Sequence, residues 1–324
     1  MSICTYRPGR KGSWQPFDFF TIWEIKMPEK KQLSTMESYG GQALIEGILM
    51  RGRKYLTAAF RLPDGTIKVV EEELTGIYKN KIRDIPFLRG LIILWDSLVL
   101  GLKYLTIASN FQLKEEEEKI EGPTLYLTLA VSMLFAVGIF FFIPTLLMQL
   151  LYKMTNFSSF VINLIEGFVR MSILILYLTL IRKMKDIKRV FSYHGAEHKT
   201  ISAYEHGESL AVATIQKYST AHPRCGTSFL MTVMVISIFV FSIVSTPSIF
   251  MRVLSRIVLI PVVAMISYEF IRILGKHEKN PIIRVISKPN LWLQKLTTNQ
   301  PTDEMVEVAI QALSRLLVLE KQAK

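Results

Sequence analysis

The chain is predicted to be mainly α-helical and polytopic, with about four transmembrane helices, a small N-terminal β-hairpin region and a cytoplasmic histidine-rich loop. Three observations predict this. Half of the 324 residues are hydrophobic and the mean hydropathy is +0.30. Four runs, 124–152, 160–181, 228–250 and 253–274, reach the ~20 residues that cross a bilayer with few charges inside them. None has the polar stripe of a surface helix, and 125–151 has no polar face at all. The third observation is polar density: residues 190–229 hold four of the five histidines, His194, His198, His206 and His222, together with Glu197, Glu205, Glu208 and Cys225.

Charge sets the orientation. A net charge of +12 resembles that of a nucleic-acid binder, but its distribution follows the positive-inside bias of membrane proteins. The segment 182–227 carries eight Lys or Arg, whereas 153–159 and 246–252 carry one each. Four spans with both termini in the cytoplasm satisfy that asymmetry, and nucleic acid is excluded as the partner. Cys4 and Cys225 then face a reducing compartment and imply no disulfide.

The elements follow in order. Residues 1–38 show no periodicity and read as a disordered extension. Residues 39–84 are a cytoplasmic Gly-rich segment, YGGQALIEGILMRG, and a hairpin. Its arms, 57–62 and 66–70, flank Pro63-Asp64-Gly65. Residues 85–122 are an interfacial helix and an acidic linker. Arg89, Asp96 and Lys103 recur at sevenfold spacing on one face of 85–109, which suits a helix lying in the membrane plane. Spans one and two occupy 123–182, and Pro144 predicts a kink. Glu166 and Arg170 sit one turn apart in span two, as a neutralised pair or as the lining of a carrier path. The histidine-rich loop is 183–227, spans three and four are 228–275, and 276–324 is a cytoplasmic segment. It ends in a helix over 302–321, with Thr302 as N-cap and Val306, Ala309, Ile310, Leu313, Leu316 and Leu317 as its apolar stripe.

His194-Gly195-Ala196-Glu197-His198 has the form H-x-x-E-H. On a helix, both imidazoles share a face and can reach one divalent cation, with zinc the best match to such donors. Glu197 is placed to take a proton from metal-activated water, as the acid does in inverted zinc hydrolases. His222 and Glu269 are the candidates to complete the metal site, because the span order returns both to the same membrane face. Cys225, in HPRC, and Glu46 are further candidates, and His206 beside Gly207 reads as exposed. The alternative is a non-catalytic scaffold in which a metal, if any, only holds the loop folded.

YGGQALIEGILMRG, IPFLRG, YHGAEHKTISAYE, HPRCGTSF, ISYEFIR and the segment from WLQKLTT to DEMVEVAIQAL together resemble the YqhQ-like family of bacterial multi-pass membrane proteins. The resemblance runs from about Tyr39 to the C-terminal helix. It implies a bacterial cell-membrane protein and a metal-dependent enzyme, with His194, Glu197, His198 and His222 as site residues. The reading is a metal-dependent hydrolase at the cytoplasmic membrane face. Its partners are the lipid bilayer and a substrate or protein on the cytoplasmic side.

Overall fold

The computed structural model describes residues 3–6, 15–16, 39–74, 85–113, 122–244, 248–277 and 280–323. Its sheet has six strands in the order β2-β1-β6-β5-β4-β3. Strands β3 (Gly40–Leu44), β4 (Gly47–Arg51), β5 (Tyr55–Arg61) and β6 (Ile67–Glu73) form an antiparallel meander. The expected hairpin is its last pair, joined through Gly65 at φ +83°, a left-handed conformation that glycine adopts without strain. Two strands depart from the expectation of a disordered N-terminal extension: β1 (Ile3–Tyr6) runs parallel to β6, and β2 (Gln15–Pro16) pairs antiparallel with β1. The acidic linker over 114–121 lies outside the described residues.

Side chains alternate across a strand, and here both sets are buried. Ile48, Met50, Ala59, Ile67 and Val69 point to one face, where α5 (Lys185–Glu205) and α10 (Asp303–Gln322) cover them. Leu49, Leu56, Ala58, Phe60 and Val70 point to the other, against Leu100, Tyr104 and Ala108 of α1 (Leu88–Gln112). Polar groups follow the same alternation. Thr57 Oγ1 donates to the Ala312 carbonyl on α10 at 2.7 Å, and Arg315 of α10 brackets Glu71 at 2.6 and 3.1 Å. Glu72, one residue on, faces α1 and accepts from Lys103 and Tyr104. α10 is therefore wedged into the core rather than lying on it, and Val308 and Ala312, outside the expected stripe, are fully buried. Thr302 occupies the N-cap position with extended backbone, but its side chain makes no capping hydrogen bond.

Glu320, near the end of α10, accepts the backbone N–H groups of Lys54 and Tyr55 at 2.8 and 2.9 Å. Glu320→Ala strands two backbone donors and is expected to cost about 1–3 kcal/mol. Pulse proteolysis in urea reads that loss, and an unchanged midpoint would remove the clasp from the account of stability.

Among the described residues, four helical stretches are long and apolar enough to cross a membrane: Leu88–Gln112, Gly122–Met154, Ser159–Ile181 and Phe250–Lys276. The second comprises α2 (Gly122–Val137), a π-helical turn (Gly138–Phe142) and α3 (Ile143–Met154). The widened turn absorbs Pro144, whose ring would clash with the carbonyl four residues back. The third is α4 (Ser159–Ile181), and the fourth belongs to α8 (Ile249–Lys276). The expected third span appears as α7 (Thr227–Ile243), a helix of 17 residues, about 26 Å long at 1.5 Å per residue.

α1 satisfies length and composition, yet its polar residues fasten it to its neighbours. Arg89 binds Glu269, Asp96 binds Arg51, and Lys103 binds Glu72. Its other face leaves Trp95, Leu98, Val99, Leu102 and Leu105 exposed, Trp95 by 66%. The sevenfold spacing thus marks the face that packs, and the apolar residues are the uncovered ones. The remaining helices are a single turn, α6 (Val212–Ile215), and α9 (Pro281–Thr297), which packs against α7.

Candidate metal centre

Within the histidine-rich segment 183–227, residues 185–205 form a helix, α5, which carries His194 and His198, while His222 and Cys225 lie on the turn that leads into α7. Every residue from Ser192 to Ile201 is buried, because the helix is enclosed by the sheet, by α10, by the 297–300 segment that follows α9 and by the turn at 220–225. Gly195 makes one of these approaches possible: a Cβ there would lie 2.1 Å from the Asn299 carbonyl oxygen. Asn299 is pinned alongside α5 by its N–H to the Phe191 carbonyl at 2.9 Å and by Arg182, which donates to its side chain at 2.7 Å. This close packing brings the Thr297 carbonyl to His194.

His194 Nδ1 lies 2.8 Å from the Thr297 carbonyl, and His198 Nδ1 lies 2.6 Å from the Thr220 carbonyl. A carbonyl only accepts, so both rings carry a proton on Nδ1 and turn Nε2 inward. His194 Nε2 stands 3.2 Å from Cys225 Sγ, while His198 Nε2 is buried with no hydrogen-bond partner among the described residues. The two Nε2 atoms and Sγ lie within 4.8 Å of one another. Tetrahedral zinc with Zn–N near 2.0–2.1 Å and Zn–S near 2.3 Å would hold such atoms roughly 3.3–3.6 Å apart. Two imidazoles and a thiolate are a donor set that zinc accepts, and the backbone carbonyls fix ring tautomer and direction as metal-site partners do. Burial pushes the His198 pKa down, which keeps the ring neutral. Sγ also meets the N–H of Thr227 at 3.3 Å and its hydroxyl at 3.1 Å, which hold the sulfur in place.

Glu197 is 6% exposed and lies over Gly41 of β3, whose missing side chain gives it room: a Cβ there would be 2.8 Å from the carboxyl. Burial drives its pKa up, opposed by His194, His222 and the Gly41 N–H, and its Oε2 has no hydrogen-bond partner among the described residues. Gly41 also lines a cavity of about 690 Å³ shared with Gln42, Arg51, Ser97 and Tyr268. A second cavity, of about 660 Å³, runs between α8 and α9 and is lined by Ala221, Pro223 and Ser228, the neighbours of His222 and Cys225.

The other expected ligands lie outside the three-atom group. Glu269 accepts from Arg89 Nε at 2.7 Å and from the Phe87 N–H at 3.0 Å. The span order does bring it to the domain end of the bundle, but α1 intervenes and takes the carboxylate. Glu46 is engaged by Arg189 at 2.6 Å and by the Tyr193 hydroxyl at 3.1 Å. His222 approaches, with its ring centroid 5.7 Å from that of His198, but its Nε2 donates to Glu205 at 3.1 Å and its Nδ1 accepts from Arg224. His206 caps α5 at the exposed end.

Cys225, only a further candidate in the sequence, is central to the group. The two carbonyls have no side-chain signal at all. Gln294 of α9 was missed: fully buried, it accepts the His222 N–H at 3.0 Å and donates to the His222 carbonyl at 2.9 Å, clamping the HPRC turn beside α5.

A membrane-type helical bundle joined to a sheet domain with a buried His-His-Cys group defines the class of molecule. The chain belongs to the family described as "Protein of unknown function (DUF1385)", which matches residues 85–319. It is similar to the uncharacterised protein YqhQ of Bacillus subtilis (strain 168), at 36% identity over 297 residues, covering 87% of this chain and 93% of that one. No solved structure matches.

Proposed function

We propose that the chain is a membrane-bound, metal-dependent hydrolase in which His194, His198 and Cys225 hold zinc and Glu197 handles the proton. The observation that carries the reading is the convergence of two imidazole rings and one Sγ, with their ligand atoms within 4.8 Å and buried together. His194, His198 and Cys225 would hold the ion, and a zinc ion so held would supply Lewis acidity to a bound substrate or water. Glu197 is one residue from His198 and three from His194, and its burial raises its affinity for a proton, as suits a general base. The Gly41 N–H orients one of its oxygens.

The bilayer reading extends this. In it, α2–α3, α4, α7 and α8 cross the membrane, and α1 lies in the interface with Trp95, Leu98 and Leu102 toward lipid. The sheet domain and both termini then sit on the cytoplasmic side, as the excess of Lys and Arg in 182–227 favours. The substrate would reach the site from the membrane surface.

A second reading is a closed, structural site, favoured by His222, whose ring is near enough to turn toward His198 as a fourth ligand. Metal analysis of wild type, His198→Ala and Glu197→Gln tests the first part. About one zinc per chain is expected in wild type and Glu197→Gln, and near none in His198→Ala; equal content in all three would discard the site. Cobalt substitution separates the two readings. Added hydroxamate perturbs the visible spectrum if a coordination position is open, and an unmoved spectrum favours the structural role.

A further inference from the structure

The end of the bundle remote from the sheet holds three arginines against one carboxylate. Glu166 and Arg170 are on α4, Arg252 and Arg256 are on α8, and none is more than 4% exposed. Glu166 is the only acidic residue in 122–181 and 227–268. It pairs with Arg170, and its second oxygen lies 3.5 Å from Arg256 Nη2. Arg256 Nη2 also donates to Asn163 Oδ1 at 2.9 Å, and Asn163 in turn donates to the Phe241 and Val244 carbonyls that end α7. One carboxylate against three guanidinium groups leaves two positive charges in excess, and the other buried polar side chains beside them, Asn163 and Thr145, are neutral.

Aromatic faces soften this excess without removing it. The Arg256 guanidinium lies 4.6 Å from the Phe241 ring centre, Arg170 lies 5.1 Å from Phe141, and Arg252 lies 6.0 Å from Tyr152. A ring supplies quadrupole attraction but no lone pair in the guanidinium plane. Arg170 Nε, Arg256 Nε and Arg252 Nε and Nη1 accordingly remain buried with no acceptor among the described residues. The acidic run at 115–118 precedes Gly122, which stands about 35 Å along the helix from Thr145, the α3 residue beside Glu166.

We infer that Arg170, Arg252 and Arg256 form a binding site for a phosphate-type oxyanion. Up to two negative charges on one tetrahedral group match the excess, and several oxygens can meet the orphaned N–H donors of planar guanidinium groups. Chloride supplies a single charge and no directional acceptors. The site is independent of the proposed metal centre: Glu166 is about 22 Å up α4 from Ile181, where that helix leads into the sheet domain. The shared chemistry, a tetrahedral group with several acceptor oxygens, admits two sources: free inorganic phosphate, with up to two charges, and the phosphodiester of an anionic lipid headgroup, with one.

The test measures thermal unfolding of the full chain, delipidated in maltoside detergent, in phosphate against chloride at equal ionic strength. Phosphate is expected to raise the midpoint saturably, by about 5 °C. Arg252→Met is expected to lose that response and, having shed an uncompensated charge, to match or exceed wild type in chloride. A second arm places the protein in nanodiscs of phosphatidylglycerol or phosphatidylcholine. Stabilisation by free phosphate assigns a soluble oxyanion. Stabilisation only by phosphatidylglycerol, lost in Arg252→Met, assigns the headgroup. No response in either arm overturns the inference, as does a full response surviving in both Arg252→Met and Arg256→Gln. If neither variant is recovered folded, line broadening of the phosphorus resonance of added phosphate on wild type, displaced by sulfate, decides the first arm. The phosphatidylglycerol comparison on wild type then decides the second.

Discussion

Gly195→Ala is expected to unfold the sheet domain or leave it barely stable. The added methyl would sit 2.1 Å from the Asn299 carbonyl oxygen, and the obstacle is backbone rather than a side chain that can swing aside. Relieving the clash means moving 297–299 away from α5 by more than an ångström. That movement breaks the Asn299 N–H bond to Phe191 and withdraws the Thr297 carbonyl from His194. Overpacking costs about 1–3 kcal/mol, and each stranded buried polar group adds roughly 1–3 more, so a total on the order of 3–5 kcal/mol is expected. Gly226→Ala is the matched control, since nothing lies within 4 Å of a Cβ there and its φ of −61° suits alanine. Pulse proteolysis of both variants beside wild type reads the difference. Similar curves for the two variants would mean that α5 and 297–299 do not approach as described.

Chelation is expected to have the second large effect. On the proposed ligand set, removing zinc would leave His198 Nε2 buried without a hydrogen-bond partner among the described residues and would free Cys225, through which the metal would tie the 220–225 turn to α5. At metal concentrations near a thousand times Kd, binding contributes about 4 kcal/mol, so the unfolding midpoint should fall by roughly 10 °C. Cys225→Ser should already lie near the chelated value and change little on chelation. A full chelator response in Cys225→Ser would take the thiol out of the ligand set. Acid should act through the same atoms, because protons compete with metal for imidazole. His198 has its pKa lowered by burial, so the neutral ring persists below the ordinary histidine range. Metal loss is therefore expected only on the acid side of that range, which a zinc-release titration measures.

How legible these features were depends on how local their causes are. The hairpin turn at Pro63-Asp64-Gly65 was readable because its backbone is set by the residues within it. The pairing of His194 with His198 followed from helical periodicity. The apolar runs announced a membrane bundle for the same reason, since length and composition are properties of single segments. The double burial of the sheet was not readable, because its covers come from α1, α5 and α10, and the most distant begins at Asp303. Glu269 lies away from the histidines for a clear reason. The order of spans gives the end of the bundle a residue reaches, but not its lateral position, and Arg89 on α1 lay in between.

By itself, then, the sequence determined that this protein is a helical membrane-type chain with its polar chemistry gathered around H-x-x-E-H, because periodicity, composition and charge asymmetry are written residue by residue. The tertiary structure alone decided which groups converge. It brought Cys225, and not Glu269, beside His194 and His198, oriented the imidazoles with two backbone carbonyls, and collected three arginines around one glutamate at the other end. Those choices depend on distances between segments far apart in the chain, which packing sets.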